Sequence, residues 1–131
     1  MRIGSSLLLD SCGVIAYFKN NAGVHELLNQ AETLYVPIVV YGELHYGAMK
    51  AINRSKRLEE LEAFLSIVTL LRPTQETAEV YGEIRLQLSL IGKPIPENDL
   101  WIAAAAKQHG IPVLTNDQHF ELVEGIDLVW R

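Results

Sequence analysis

The stretch Ser6-Leu7-Leu8-Leu9-Asp10-Ser11-Cys12-Gly13 decides how the rest of the chain is read. Ser6 to Leu9 is a short apolar run that fits a buried strand, and Asp10-Ser11-Cys12-Gly13 ends it. Val14-Ile15-Ala16-Tyr17-Phe18 follows as the start of a helix. A strand that turns straight into a helix is the first half of a βα unit, and an acid at that corner lies at the carboxyl end of the strand. In open α/β sheets that edge is where ligands bind.

Working outward, the same alternation recurs. After the Asn20-Asn21 turn, Val24, Leu27, Leu28 and Ala31 mark one face of a second helix, and Leu34-Tyr35-Val36 make a second strand. Pro37 suits the first turn of the next helix, where its missing N–H costs nothing, and that helix is expected from about Ile38 to Lys50. Asn53 or Ser55 can cap a fourth helix, whose Leu58, Leu61, Leu65 and Val68 recur at three- and four-residue steps. Thr69-Leu70-Leu71 reads as a short edge strand.

Thr74 then caps a long helix with a buried stripe of Thr77, Tyr81, Ile84, Leu88 and Ile91. Its capping box is incomplete, because Thr77 stands where Glu or Gln would reciprocate. Gly92 stops this helix, and Lys93-Pro94-Ile95-Pro96-Glu97 is a stiff loop. Asn98 can cap a helix running through His109 that is apolar on nearly every side and therefore expected at the centre of the domain. Ile111-Pro112-Val113-Leu114 is the next strand, Thr115 to His119 a loop, and Leu128-Val129-Trp130 the last strand. Strands alternating with helices predict an α/β sandwich around a mostly parallel sheet, in a single domain over residues 1–131.

Composition narrows the function. With 131 residues, 49% hydrophobic and 21% charged, the chain has material for one core and too little for two ordinary domains. Asp10 interrupts Leu7-Leu8-Leu9 before an h-region of useful length forms, and Leu100 to Ala106 falls far short of the roughly 20 residues that span a bilayer. A soluble cytoplasmic protein with no membrane partner is expected. The lone Cys12 excludes an internal disulfide and a thiolate zinc cluster. His25, His45, His109 and His119 show no HExxH pairing and are read as surface or capping residues. Tyr41, Tyr46, Trp101 and Trp130 are read as core packing rather than base-stacking platforms.

Four acids stand where the chain changes state: Asp10 after the first strand, Glu43 past Tyr35-Val36-Pro37, Asp99 before Leu100-Trp101-Ile102-Ala103, and Asp117 after Val113-Leu114-Thr115. Taken singly, Asp10 and Asp99 pass as helix-cap or first-turn acids and Asp117 as a turn residue. Glu43 does not. On a helix its neighbours are Val39, Val40, Tyr46 and Gly47, an inward-looking face without a basic partner. Asp99 has only Ile102 and Ala103 above it. A buried carboxylate without compensation is costly or protonates, and a divalent cation removes the problem. Mg²⁺ or Mn²⁺, which take carboxylate and water oxygens, fit such a site, and phosphodiester hydrolysis is chemistry they support.

The net charge of −5 then loses most of its force against a nucleic-acid substrate, because the 16 acids less those four are 12 against 11 basic residues. Lys50, Arg54, Lys56 and Arg57 form a local basic stretch, read first as a solvated helix face that could also meet a phosphate backbone.

The series Leu8-Leu9-Asp10-Ser11, Glu43-Leu44-His45-Tyr46-Gly47, Asn98-Asp99-Leu100-Trp101-Ile102-Ala103-Ala104 and Thr115-Asn116-Asp117-Gln118-His119-Phe120 resembles the PIN-domain nucleases, and within them the VapC-type toxins of toxin–antitoxin pairs. The resemblance spans almost the whole chain. It implies a PIN fold, a three-layer sandwich with a mostly parallel central sheet flanked by helices. It also implies a Mg²⁺- or Mn²⁺-dependent endoribonuclease acting on RNA, usually a homodimer, restrained by a small antitoxin protein whose tail reaches into the acidic groove. On this resemblance Asp10, Glu43 and Asp99 are the main metal ligands, Asp117 is a fourth acid, and Thr115 supplies a hydroxyl that supports that corner. The family commonly has Asp-Thr-Asn at the first corner. Here Ser11 keeps a hydroxyl, while Cys12 replaces an amide that braces the site, which implies weaker metal binding.

Two rivals stand beside that reading. A phosphoacceptor domain also holds Mg²⁺ among acids at strand ends, but it needs a lysine after the last core strand, and Lys107 is the final lysine and precedes Val113-Leu114. A PIN-like module that has lost activity and serves as a binding or regulatory partner is favoured by Cys12 alone.

Overall fold

Leu7, Leu8 and Leu9 are all completely buried, so both faces of the first strand are covered. That is the environment of a central strand in a parallel sheet, and it explains an apolar run without alternation. The computed structural model describes residues 6–130. The part of the expected absence of a signal peptide that concerns residues 1–5 lies outside them.

Strands β1 (Ser6–Leu9), β2 (Thr33–Pro37), β3 (Thr69–Leu71), β4 (Val113–Leu114) and β5 (Leu128–Val129) form one sheet in the order β3-β2-β1-β4-β5. Every pairing among them is parallel. Helices α1 (Ser11–Phe18) and α2 (Ala22–Gln30) join β1 to β2, and α3 (Ile38–Met49) and α4 (Arg54–Leu65) join β2 to β3. Helices α5 (Gln75–Leu90) and α6 (Glu97–His109) carry the chain back past β2 and β1 to β4, and a 3₁₀ turn over Gln118–Leu122 precedes β5.

This order creates the site. The chain leaves β1 towards β2 and leaves β4 towards β5, in opposite directions along the sheet. A crevice therefore opens at the carboxyl ends of the adjacent strands β1 and β4. Leu9 pairs with Leu114, so the next residues, Asp10 and Thr115, flank that crevice.

Gly13 is what lets the corner close. A Cβ on it would lie 2.4 Å from Cδ2 and 2.9 Å from the carbonyl oxygen of Leu114, closer than real atoms approach. The first turn of α1 thus lies directly against β4. Helix α6 fills the centre as expected, with Leu100 and Ile102 through Ala106 buried.

Several local expectations need correction. Thr77 completes the capping box after all, because its hydroxyl accepts from the Thr74 N–H at 2.9 Å while its own N–H donates to Thr74 Oγ1 at 3.4 Å. Pro37 ends β2 and stands at the N-cap of α3 rather than within its first turn. Asn53 occupies the N-cap of α4 without a side-chain capping bond. Helix α6 begins at Glu97 with Pro96 at its N-cap, so Asn98 is not the cap. Ile91 is half exposed beyond the end of α5, Phe64 is a buried residue of α4 that the three–four spacing passed over, and Tyr46 is 66% exposed rather than packed. Trp101 is partly buried and stacks on Tyr81 with ring centroids 4.3 Å apart.

Candidate metal centre

Asp10 is buried, and each of its carboxylate oxygens is held by one short hydrogen bond at the β1–α1 corner. Oδ1 accepts from the Ser11 N–H at 2.7 Å and lies 3.4 Å from the Ser11 hydroxyl. Oδ2 accepts from Thr115 Oγ1 at 2.9 Å and lies 3.3 Å from Cys12 Sγ. The capping role and a ligand role are therefore compatible, since a carboxylate has lone pairs for both.

Thr115, completely buried, ties three elements together. Its hydroxyl donates to Asp10 and accepts from the Asp117 N–H at 3.0 Å. With its one hydrogen committed to Asp10, its 3.3 Å contact with Cys12 needs the thiol as donor. A thiol is a weak donor with a single hydrogen, which cannot serve Asp10 and Thr115 at once. Burial raises the pKa of Cys12, so the group stays a thiol at neutral pH.

Asp99 comes from the first turn of α6 and is buried. Its pKa is raised first by burial and then by the charges of Asp10 and Asp117, while a hydrogen bond from His119 opposes the rise. Asp117 follows β4 and caps the 3₁₀ turn, its Oδ1 accepting from the His119 N–H at 2.9 Å. Nδ1 of His119 lies 3.1 Å from Asp99 Oδ2 and 3.1 Å from Asp117 Oδ1.

Glu43 is placed differently from the sequence expectation. The buried line of α3 runs through Val40, Leu44 and Ala48, one position off, and Glu43 is exposed. It also has a partner, since Asn98 Nδ2 donates to its Oε2 at 3.0 Å. Its pKa is nevertheless raised, by partial desolvation of the carboxylate and then by Asp10, with a further push from Asp99. Glu43 is exposed, so burial does not force a cation on it. The case for one rests on like charge across the cluster.

The structure thus brings Asp10, Glu43, Asp99, Asp117 and Thr115 to one crevice. Sequence reasoning missed two contributors, Asn98, read as a helix cap, and His119, read as a surface or capping residue. Their signal was adjacency, because Asn98 precedes Asp99 in one helical turn and His119 follows Asp117 by two residues in a tight one. The carboxylate oxygens suit Mg²⁺ or Mn²⁺, and the His119 imidazole lies beside them. Asp99 supplies the fit test: it is buried, its neighbours are acids, and a cation would relieve both costs.

The model of the PIN domain matches residues 7–126. The chain belongs to the PIN-domain family. The PIN chain is 33% identical over 111 residues to Ribonuclease VapC2 of Haemophilus influenzae, covering 84% of this chain and 77% of that protein. It is 33% identical over 123 residues to the tRNA(fMet)-specific endonuclease VapC of Shigella flexneri, covering 91% and 92%. Among solved structures, VapBC2 from Rickettsia felis, bound to a DNA fragment from its promoter, superposes with a TM-score of 0.87 at 26% identity, covering 96% of this chain and 99% of that one. The parallel five-stranded sheet with flanking helices is the PIN fold implied by the sequence motifs, and among the described residues no helix is long and apolar enough to cross a membrane.

Proposed function

We propose that this protein is a metal-dependent endoribonuclease, a single PIN domain over residues 1–131 that acts as the toxin of a cytoplasmic toxin–antitoxin pair. The observation that carries the metal dependence is Asp99, a buried carboxylate ringed by the charges of Asp10 and Asp117. The names of the relatives, ribonuclease and endonuclease, support the reaction class.

Asp10, Glu43, Asp99 and Asp117 would hold Mg²⁺ or Mn²⁺. When bound, such an ion supplies an acidified water and neutralises charge on a phosphoryl oxygen. The rest of the work falls to the chain. Thr115 and Ser11 fix the Asp10 carboxylate, Asn98 holds Glu43 towards the cluster, and the Asp117 turn presents its carboxylate beside Asp99. Such bracing fixes the ligand geometry before substrate arrives. Lys19 lines the adjoining groove and places positive charge where flanking phosphates of an RNA would run, while Arg57 beside it is paired with Glu60 at 3.0 Å.

That groove also supports the antitoxin. It has a volume of about 520 Å³, lies between α1, α3 and α4, and is lined by Ile15, Phe18, Leu44 and Leu61, with Ser11 and Glu43 at its border with the acidic site. A small protein's apolar tail laid there would end at the carboxylates. The homodimer rests on the family resemblance.

The test is cleavage of a defined RNA by purified protein with Mg²⁺, with Mn²⁺ or with EDTA. Cleavage that appears only with metal supports the reading, and undiminished cleavage in EDTA overturns it.

A further inference from the structure

We infer that His119 is a nitrogen ligand of the acidic site, and that it makes the Asp99–Asp117 position favour Mn²⁺ over Mg²⁺. The inference rests on the metal-dependent reading and adds a residue to it. Ligand atoms of Asp99, Asp117 and His119 lie within 4.8 Å of one another. Nδ1 is 3.1 Å from each of the two carboxylate oxygens. Neighbouring ligands on an octahedral ion with bonds of about 2.1 Å are about 3 Å apart, so both separations fit adjacent vertices around one cation.

The turn makes this arrangement inherent in the backbone. Asp117 accepts the His119 N–H at 2.9 Å, and that bond folds the imidazole back towards its own carboxylate and across to α6. Without a metal, one ring N–H must serve two carboxylates. A divalent ion among the three atoms satisfies all of them. The side chain is about half exposed, so the position is open to entry.

The choice of metal follows from the donor. Imidazole nitrogen adds affinity for first-row transition ions and little for Mg²⁺, which prefers oxygen. Asp10 and Glu43 offer only carboxylate oxygen to the site, so His119 is the group that separates the two ions.

The experiment is Mn²⁺ binding to the purified full chain, followed by electron paramagnetic resonance, with pulsed measurement of ¹⁴N coupling to the bound ion. Wild type should show imidazole coupling, and His119→Gln should lose it, while His109→Gln, altered at the far end of α6, should keep it. Removing the ligand should weaken Mn²⁺ binding about tenfold, with Mg²⁺ binding, measured by competition, changed by less than about threefold. Bound Mn²⁺ without ¹⁴N coupling in the wild type, or coupling that survives in His119→Gln, overturns the inference and leaves the metal-dependent reading standing. Failure of the wild type to bind either ion overturns both. The wild-type spectrum requires no variant to fold.

Discussion

Asp10 and Thr115 follow paired residues of two adjacent parallel strands, Leu9 and Leu114, and the Thr115 hydroxyl donates across the gap to Asp10 Oδ2 at 2.9 Å. Residues 105 apart in sequence are joined there because β4 lies beside β1. The same hydroxyl accepts the Asp117 N–H, so one buried side chain sets the positions of two acids. Thr115→Val keeps the shape and removes both bonds. It should destabilise the fold by about 1–3 kcal/mol, read by chemical denaturation, and weaken metal binding, while Thr115→Ser should recover most of each.

Asp99→Asn should abolish metal-dependent cleavage, a loss of about 100-fold or more, and leave the circular dichroism spectrum unchanged. It should also raise the melting temperature of the metal-free protein by about 3–5 °C, because a buried charge facing Asp10 and Asp117 is removed. The sign with pH follows from the raised pKa of Asp99. Below the ordinary carboxylate range Asp99 is protonated in folded and unfolded chains alike, and the variant has no advantage. As pH rises through the raised folded value the wild type loses stability, and the advantage of Asn reaches its full size. Melting curves of both proteins across that range, in EDTA, check this.

The strands and the central helix were legible from their composition, whereas the strand order came only from the fold. Leu7-Leu8-Leu9 announces a strand buried on both faces, and the acid after it announces a corner. Helix α6 announces its own burial through seven apolar residues in succession. The amphipathic face of Glu43 was misread, because Val39 and Val40 are adjacent and only Val40 lies on the fully buried line; Val39 is half-buried. His119 and Asn98 were missed because each reaches a partner distant in sequence, Asp99 and Glu43 respectively, and a polar residue in a turn or a first helical turn looks the same whether it faces solvent or an active site. Only the fold brings α6 and the turn after β4 together.

Cys12→Asn restores the amide common at this corner in the resembling family. An amide has two N–H donors, enough for both Asp10 Oδ2 and Thr115 Oγ1, where the thiol has one weak one. Mg²⁺ affinity should rise by about tenfold, measured by calorimetry. An unchanged affinity would show that Thr115 and Ser11 alone suffice to orient Asp10.

Gly13→Ala should damage both fold and site. Its Cβ would meet the Leu114 carbonyl oxygen at 2.9 Å, a backbone atom that cannot step aside as a side chain can. A loss of about 1–3 kcal/mol is expected by denaturation, with cleavage reduced further because α1 must lift from β4 and carry the Asp10 corner with it.

The central claim is that these acids form a metal site that cleaves RNA. It is tested most directly by exposing a defined RNA pool to the wild type and to Asp99→Asn, with and without Mg²⁺, and mapping the new ends at nucleotide resolution. Discrete cuts by the wild type that require Mg²⁺ and vanish in Asp99→Asn are the predicted result. Equal cleavage by the two proteins, or no dependence on the metal, would contradict it.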